Sequence, residues 1–244
     1  MLQAIGNEEL QKQFRNTLRP FYGALKTKDG YIKFALLTGV TKFGKVSVFS
    51  DLNNLDDISM WNEYVEICGV SEREIHENLE AELHEFAAAR GITYDKLCED
   101  LRECYDGYHF VEDSEGIYNP FSLLNALDSR RVNDYWFRSG TPTYLIRLLN
   151  HFNENLNELT GKYYRPEEFI DYKADVEMPL PMIYQSGYLT IKGYNMRMNK
   201  FLLDFPNNEV KNGFLTMLAT SYLQPKQRVT GWIDDAVETL EEGD

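Results

Sequence analysis

The spacing of apolar positions changes along the first forty residues, from helical to strand-like. The helical stripe consists of Leu10, Phe14, Leu18, Phe21 and Leu25. This spacing predicts an amphipathic helix from about Asn7 to Lys26, with Asn7 as its N-cap. The following stretch, Tyr31 to Val40, contains four consecutive apolar residues, which predicts a strand that is covered on both faces.

A strand covered on both faces belongs inside a sheet, and usually a parallel one. The residues before Tyr31 predict only a helix, and no comparable apolar strand follows soon after Val40. We therefore expect most of the sheet around this strand to be missing from the 244 residues. This mismatch is the first indication of function.

The middle of the chain is predicted to form a series of helices with recognisable ends. Ser71 and Glu74 have the spacing of a capping box, and Gly91 is a predicted C-terminal stop. The buried stripe of this helical block consists of Ile75, Leu79, Leu83 and Phe86. Further helices are expected to start at Thr93, at Asn119–Pro120 and at Thr141–Pro142, the last two with proline at the first helical position.

The carboxyl-terminal part predicts a helix, a β-hairpin and two further helices. A short helix follows Pro179, and the strand-like runs Tyr188 to Lys192 and Phe201 to Phe205 flank a turn around Asn195. The last helix is expected after Pro225. This order fits a winged-helix-like module, and it fits equally a two-stranded cover on a helical domain.

The composition is that of a folded, acidic protein. With 25 Lys+Arg and 39 Asp+Glu the net charge is −14, which disfavours binding to duplex DNA through phosphate contacts. Three cysteines without a CxxC pair favour a reducing compartment. The sequence has neither a basic start followed by an apolar leader nor a run of 18 apolar residues, so we expect a cytoplasmic protein without a membrane span.

Common catalytic signatures are absent from the sequence. It contains none of the motifs GxxxxGK[ST] (Walker A), GxGxxG, HExxH and GxSxG. No serine or cysteine has an identifiable histidine partner, and the four histidines lack the spacing of metal ligands. We therefore assign no catalytic residue, no metal ligand and no cofactor to this chain alone.

The segment after the predicted strand carries residues that suit a phosphate group. Thr38, Thr41 and Lys42 lie at the carboxyl end of this strand, where ligands bind in open α/β sheets. A threonine hydroxyl can orient a water or a phosphate oxygen, and a lysine supplies a positive charge. An ordinary strand exit explains the same residues, since threonine and glycine are also common in turns.

Four aromatic-rich blocks connect the predicted helices and strands. They are YDGYHF at 105–110, YNPFS at 118–122, YWFRSGTPTYL at 135–145 and QSGYL at 185–189. Aromatic residues bury large areas, and tyrosine and tryptophan also seek a hydrogen-bond partner. Packing between subdomains is therefore favoured over base stacking, which normally accompanies a positively charged groove.

Together with LTGVTKFGKVSVFSDLNNL and FPNNEV, these blocks resemble, in the same order, the predicted AAA-ATPase-like family of bacterial P-loop proteins, which often carry a C-terminal nuclease-like domain of the PD-(D/E)XK type. The likeness runs from about residue 7 to residue 220. It implies an α+β, mainly helical fold with three parts. These are a remnant of the P-loop α/β core with a helix and a sensor strand (1–60), a helical lid-like region (61–176) and a winged-helix-like module with a β-hairpin (177–244).

The resemblance also implies roles for named residues. Thr38, Thr41 and Lys42 would lie near the γ-phosphate of ATP. The residues of the family motif are expected to be structural: Tyr105, Asp106, Gly107, Tyr108, Asn119 and Pro120. In the family, the Walker A loop and the Walker B acidic residues precede the helix that we place at Asn7 to Lys26, and nothing before that helix encodes them here.

The resemblance therefore predicts the C-terminal portion of an ATPase domain, which does not hydrolyse ATP alone. ATP and Mg²⁺ are implied only for the intact family domain. The nuclease-like domain is not expected either, because too few residues follow residue 220. The expected partner is the missing amino-terminal ATPase half or another protein chain.

Two other functions stay open on the sequence. The aromatic blocks and an acidic helical face suit a protein-interaction module, and an exposed edge beside Phe34 to Leu37 would invite strand addition or self-association. Nucleic-acid binding through the winged-helix-like part would depend on Lys192, Arg197, Lys200 and Lys211. The acidic net charge makes nucleic acid the less favoured partner.

Overall fold

A computed structural model of the chain describes residues 7–39, 55–139, 159–170 and 179–222. These residues form an α+β structure with two small antiparallel sheets. The helices are α1 (Glu8–Thr27), α2 (Glu72–Asn78), α3 (Glu80–Arg90), α4 (Tyr94–Tyr105), α5 (Pro120–Ser129), α6 (Tyr135–Ser139), α7 (Pro166–Phe169), α8 (Leu180–Gln185) and α9 (Asn208–Tyr222). The strands are β1 (Val70–Ser71), β2 (Ile117–Tyr118), β3 (Lys162–Tyr164), β4 (Thr190–Asn195) and β5 (Lys200–Asp204).

The first helix agrees with the predicted one, but the strand predicted after it is wrong. The side chain of Asn7 accepts a hydrogen bond from the backbone N–H of Leu10 at 3.0 Å, as an N-cap does. A 3-10 turn, Asp29–Tyr31, follows α1. Residues 32–39 then take no strand pairing, and a strand forms only where a neighbour accepts its backbone hydrogen bonds. Val40 lies outside the described residues.

Helices α2 to α5 and the small sheet β1–β2 enclose one hydrophobic core, which we call the helical core. Its members come from residues Ile75 to Ala126, and Leu83, Phe86 and Leu97 are fully buried. The predicted capping box is confirmed, because Ser71 and Glu74 each accept a hydrogen bond from the other's backbone. The predicted stop at Gly91 is also confirmed by its left-handed φ of 68°.

The helical block after Ser71 is not continuous, because it divides at Leu79 into α2 and α3. The next two predicted starts are confirmed. Thr93 caps α4, and the side chain of Asn119 accepts hydrogen bonds from the backbone N–H groups of Phe121 and Ser122 at the start of α5. Pro120 is the first residue of that helix, where its missing N–H costs nothing.

The second core, which we call the sheet core, lies under a three-stranded antiparallel sheet in the order β3-β5-β4. The predicted hairpin is confirmed, since β4 pairs with β5 from Thr190↔Asp204 to Asn195↔Lys200. The sequence did not predict β3, which pairs with the other edge of β5. Helices α7, α8 and α9 complete this core, which contains Phe169, Ile183 and Phe214.

The sheet core draws on residues that precede the predicted boundary at 177. Leu159, Tyr164 and Phe169 are all buried within it. The helices predicted after Thr141–Pro142 and after Pro225 lie outside the described residues. Of the helices in the described ranges, none combines the length and the apolarity that a bilayer crossing requires.

Candidate functional site

Of the three residues predicted to lie near a phosphate, only Thr38 belongs to the described part of the chain. Thr38 lies on the exposed, unpaired segment after α1. Thr41 and Lys42 lie outside the described residues. The structure thus gives no geometry for a nucleotide at this segment.

The segment from α1 to Gly39 exposes apolar side chains instead of burying them. Phe21 is 68% exposed and Phe34 is 82% exposed. The exposed apolar residues of this region are Phe14, Phe21, Tyr31, Phe34, Leu36 and Leu37. We call this set the N-terminal apolar face. Several exposed large apolar side chains within one short segment are typical of a surface that packs against another structural unit.

The described residues of the aromatic-rich blocks and of FPNNEV converge at the contact between the two cores, which we call the joint. Tyr105 begins this arrangement at the end of α4. Its hydroxyl donates to the backbone oxygen of Asn133 at 2.8 Å and accepts from the Asn133 N–H at 2.9 Å. Its backbone oxygen accepts from the N–H of Asn119 at 2.9 Å. The blocks at 105–110 and 118–122 are therefore hydrogen-bonded to one another within the helical core.

Asp106 and Gly107 lie where the first block meets the loop before α9. The side-chain amide of Asn207 donates to the backbone oxygen of Asp106 at 3.0 Å. The Oδ1 atom of Asp106 is buried without a hydrogen-bond partner in the described structure and packs against Gly116, where a Cβ would lie 2.6 Å from it. Burial raises the pKa of this carboxyl above its ordinary value, and the hydrogen bond from Gly107 N–H opposes that rise.

Glu209 is a buried carboxylate that joins α9 to α5 and α6. It is 2% exposed, and its Oε2 accepts from the Ser122 hydroxyl at 2.6 Å. Its Oε1 accepts from the backbone N–H of Trp136 at 2.7 Å, one of the N–H groups at the start of α6 that lack a partner within the helix. Burial raises the pKa of Glu209, while the hydrogen bonds from Ser122 and from the Trp136 and Phe137 N–H groups lower it.

An aromatic layer fills the space around these polar contacts. The ring of Trp136 lies 5.4 Å from that of Tyr188, and the Phe137 and Phe214 rings lie 6.0 and 5.9 Å from Tyr188. Ring pairs at these separations stabilise a contact beyond the area that they bury. The blocks at 135–145 and 185–189 thus contribute packing to the joint.

A charged network lies beside the joint on the surface of the helical core. The carboxylate of Glu72 accepts hydrogen bonds from the Tyr118 hydroxyl and from Arg102, the latter at 2.6 Å. His76 also contacts Glu72 at 3.2 Å and Tyr94 at 2.8 Å. Burial alone would raise the pKa of Glu72, but the hydrogen bonds from Tyr118 and Arg102 bring it below its ordinary value.

A cleft of about 690 Å³ opens at the joint between α4 and the start of α9. Its charged lining residues are Arg102, Glu103, Asp106, Lys192, Asp204 and Lys211. Three are basic and three are acidic, so the cleft has no strong preference for an anion or a cation. In the described residues, no three His, Cys, Asp or Glu side chains lie close enough to bind one metal ion.

Sequence reasoning missed two residues of the joint, Lys192 and Glu209. Lys192 was grouped with surface cations that could bind nucleic acid, but its ammonium donates to two backbone carbonyls inside the joint. Glu209 lies within FPNNEV, and the visible signal was Asn207, which caps α9 by accepting from the Val210 N–H at 3.1 Å. An acidic residue in the first turn of a capped helix is so common that it did not indicate burial.

A family model matches only the amino-terminal part of the chain. The AAA-ATPase-like family, described as a predicted AAA-ATPase, matches residues 1–49. This match contains α1 and all of the N-terminal apolar face, and it ends before the joint begins.

One longer protein is similar to nearly the whole chain. It is an uncharacterized protein in the vnfD 5′ region of Azotobacter chroococcum mcd 1, which is 35% identical over 231 residues. The alignment covers 91% of this chain and 41% of that protein, so the chain spans about two fifths of the length of its relative. No solved structure matches the chain.

Proposed function

We propose that the chain forms the lid-like and winged-helix-like part of an AAA-ATPase-like protein and that its N-terminal apolar face packs against a phosphate-binding α/β core made by other residues. Under this proposal the 244 residues alone do not turn over ATP. The loop that binds the α and β phosphates and the carboxylate that holds Mg²⁺ supply most of the charge stabilisation in phosphoryl transfer.

The observation that carries this proposal is the exposure of the N-terminal apolar face inside the segment that the family model matches. Phe34 and Leu36 are exposed and lie in a segment that pairs with no strand of the described residues. Burial of apolar surface contributes roughly 25 cal/mol per Å², so side chains of this size favour a partner strongly. A sheet with an open position next to residues 32–39 would supply both the apolar cover and the backbone hydrogen bonds.

A second support comes from the carboxyl-terminal part. Helix α8, the hairpin β4–β5 and helix α9 follow one another in the order that a winged-helix-like module requires. The third strand, β3, pairs with β5 and gives the hairpin a fixed outer edge. This arrangement supports the winged-helix-like assignment as part of the proposal.

Nucleic-acid binding through the winged-helix-like part is the alternative, and one of the four cations on which it would depend already has hydrogen-bond partners. Lys192 is exposed, but its ammonium already donates hydrogen bonds to the backbone oxygens of Gly107 and Pro206. Arg197, at the tip of the hairpin, is exposed. Two exposed cations, Lys192 and Arg197, and two partly exposed ones, Lys200 and Lys211, are weak support for phosphate binding on a chain of net charge −14.

The proposal is tested first by ATP turnover. The purified 244-residue chain should release no phosphate from Mg-ATP above the rate of a buffer blank. Lys42→Ala is the matched variant, because Lys42 is the cation expected near the γ-phosphate. Metal-dependent turnover that Lys42→Ala abolishes would overturn the proposal.

The native protein provides the second test. Antibodies to this chain should isolate, from its source, either a longer polypeptide with a Walker A loop or this chain bound to a polypeptide that has one, as identified by intact mass and peptide sequencing. A 28.5 kDa polypeptide that is isolated alone and hydrolyses Mg-ATP would refute it.

The apolar face is tested on the isolated chain with the dye ANS. Phe34→Asp together with Leu36→Asp should lower ANS fluorescence clearly, because both side chains are exposed. Met196→Asp, at the exposed tip of the hairpin, is the matched control and should have a smaller effect. If the double variant binds ANS as the wild type does, the N-terminal apolar face is not the available surface.

A further inference from the structure

Lys192 connects two loops that belong to different cores. It lies on β4 in the sheet core, and its Nζ donates to the backbone oxygen of Gly107 at 3.0 Å. The same Nζ donates to the backbone oxygen of Pro206 at 2.8 Å. Gly107 lies two residues after the end of α4, and Pro206 lies in the loop before α9. One ammonium group therefore holds the end of the helical core against the sheet core.

The two loops approach so closely that only glycine fits at residue 107. Its φ of +99° is in the left-handed region, and a Cβ there would lie 2.2 Å from the Pro206 oxygen and 2.9 Å from Lys192 Nζ. One residue away, the Asn207 side chain donates to the Asp106 oxygen. In this contact, backbone carbonyls from both loops accept hydrogen bonds from Lys192 and Asn207, which belong to the side of the sheet core.

Lys192 is an exposed residue of β4, and its ammonium nevertheless bonds to two backbone carbonyls from different loops. Desolvation of the ammonium lowers the pKa of Lys192, and the nearby carboxyls of Asp106 and Asp204 oppose that shift. Hydrogen bonds from a charged donor are shorter and stronger than those from a neutral donor. A directional contact between two packed units therefore fixes their relative orientation.

We propose that Lys192 is a latch that makes the helical core and the sheet core move as one rigid body. A second link lies at the other side of the loop, where Thr190 Oγ1 accepts from the His109 N–H at 2.7 Å and donates to the His109 oxygen at 2.9 Å. Glu209 provides the third link, through Ser122 and Trp136. In an assembly that contains this chain, conformational changes would then occur outside the joint.

Hydrogen exchange on the full chain tests the latch. Lys192→Met keeps the aliphatic stem and removes the ammonium. We expect exchange to accelerate about tenfold or more at peptides containing His109 and Ile191, which bond across the joint, with little change at Leu83 and Leu97 in the helical core. Arg197→Met, on the same hairpin but exposed, is the control and should leave all of these peptides unchanged.

Thermal unfolding gives an independent measurement of the same proposal. The wild-type chain should unfold in one transition that both cores share, and Lys192→Met should separate it into two. A uniform rise of exchange in both cores, or no change at His109 and Ile191, would show that Lys192 contributes general stability or nothing, and would overturn the proposal.

A variant with a smaller change covers the case in which Lys192→Met does not fold. Asn207→Ser keeps a side chain that can cap α9 but removes the amide that donates to Asp106. It should accelerate exchange at His109 and Ile191 by a smaller factor than the loss of the ammonium, again without affecting Leu83 and Leu97. Unchanged exchange at His109 and Ile191 in this variant would contradict the latch.

Discussion

The N-terminal apolar face and the joint contain similar residues in opposite environments. Phe34 and Leu36 are exposed, whereas Trp136 and Tyr188 pack into an aromatic layer. In the joint, polar links hold the two cores so that the aromatic rings can be buried. The segment after α1 has apolar residues but no partner for its backbone among the described residues. Apolar side chains alone therefore do not determine where a segment packs, because its backbone must also find hydrogen-bond partners there.

Removing one phenylalanine from each region should give the largest contrast. Phe86→Ala takes a fully buried ring from the helical core and should lower the free energy of unfolding by about 3–5 kcal/mol. Phe34→Ala takes an exposed ring and should change it by less than about 0.5 kcal/mol. Urea titration followed by circular dichroism measures both. Equal losses would mean that Phe34 is buried in solution.

Alanine at two helical glycine positions should change the free energy of unfolding in opposite directions. In α9 of the joint, a Cβ at Gly213 would lie 2.3 Å from the Phe137 ring, so Gly213→Ala should destabilise by about 1–3 kcal/mol. In α1, nothing lies within 4 Å of a Cβ at Gly23, so Gly23→Ala should favour the helix by about 0.5–1 kcal/mol.

Urea titration and the helical signal at 222 nm measure these two effects. A stabilising Gly213→Ala would mean that Phe137 does not occupy this position, and a destabilising Gly23→Ala would mean that α1 is packed against another part of the chain.

Removing the two asparagine N-caps should have a smaller effect on stability, and it again compares the helical core with the segment around α1. Asn119→Ala removes the acceptor of two N–H groups at the start of α5 and should lower the global free energy of unfolding by about 1 kcal/mol. Asn7→Ala removes the corresponding acceptor of α1, and should reduce helix content without moving the urea midpoint of the two cores. A shift of that midpoint by Asn7→Ala would show that α1 is coupled to them.

The smallest expected effect is a change in pH dependence at Glu209. Burial raises its pKa above the ordinary value of 4.5 in the folded protein. The stabilisation that protonated Glu209 adds to the folded state is therefore complete below its ordinary pKa. It decreases as the pH rises through the raised pKa of the folded protein. Glu209→Gln does not titrate and should flatten this part of the curve. Urea midpoints between pH 4 and 8 measure it, with exposed Glu103→Gln as control, and an unchanged slope would contradict the assignment.

The sequence predicted those features whose cause lies within about one helical turn. The cap at Asn7, the capping box of Ser71 and Glu74, and the stop at Gly91 each depend on contacts between residues no more than a few positions apart. These signals fixed the start of α1 and both ends of the block α2–α3. The division of that block at Leu79 had no comparable local signal.

The features that the sequence did not predict depend on distant partners. Strand β3 exists because Tyr163 pairs with Leu202, and three residues carry no readable alternation. Lys192 bonds to Gly107 across 85 positions, so its role is invisible in a local pattern. The predicted strand at Tyr31 to Val40 failed for the opposite reason, since its local pattern was strong and the described residues supply no neighbour.

Gly213 and Glu209 lie four residues apart on α9, and so on one face of that helix. The notch at Gly213 receives the Phe137 ring, while Glu209 receives the first N–H groups of α6. A rotation of α9 by one residue, about 100°, would remove both contacts at once. The pair therefore admits a single rotational setting of α9 against α6, so the small residue and the acidic residue together determine which face of α9 meets the joint.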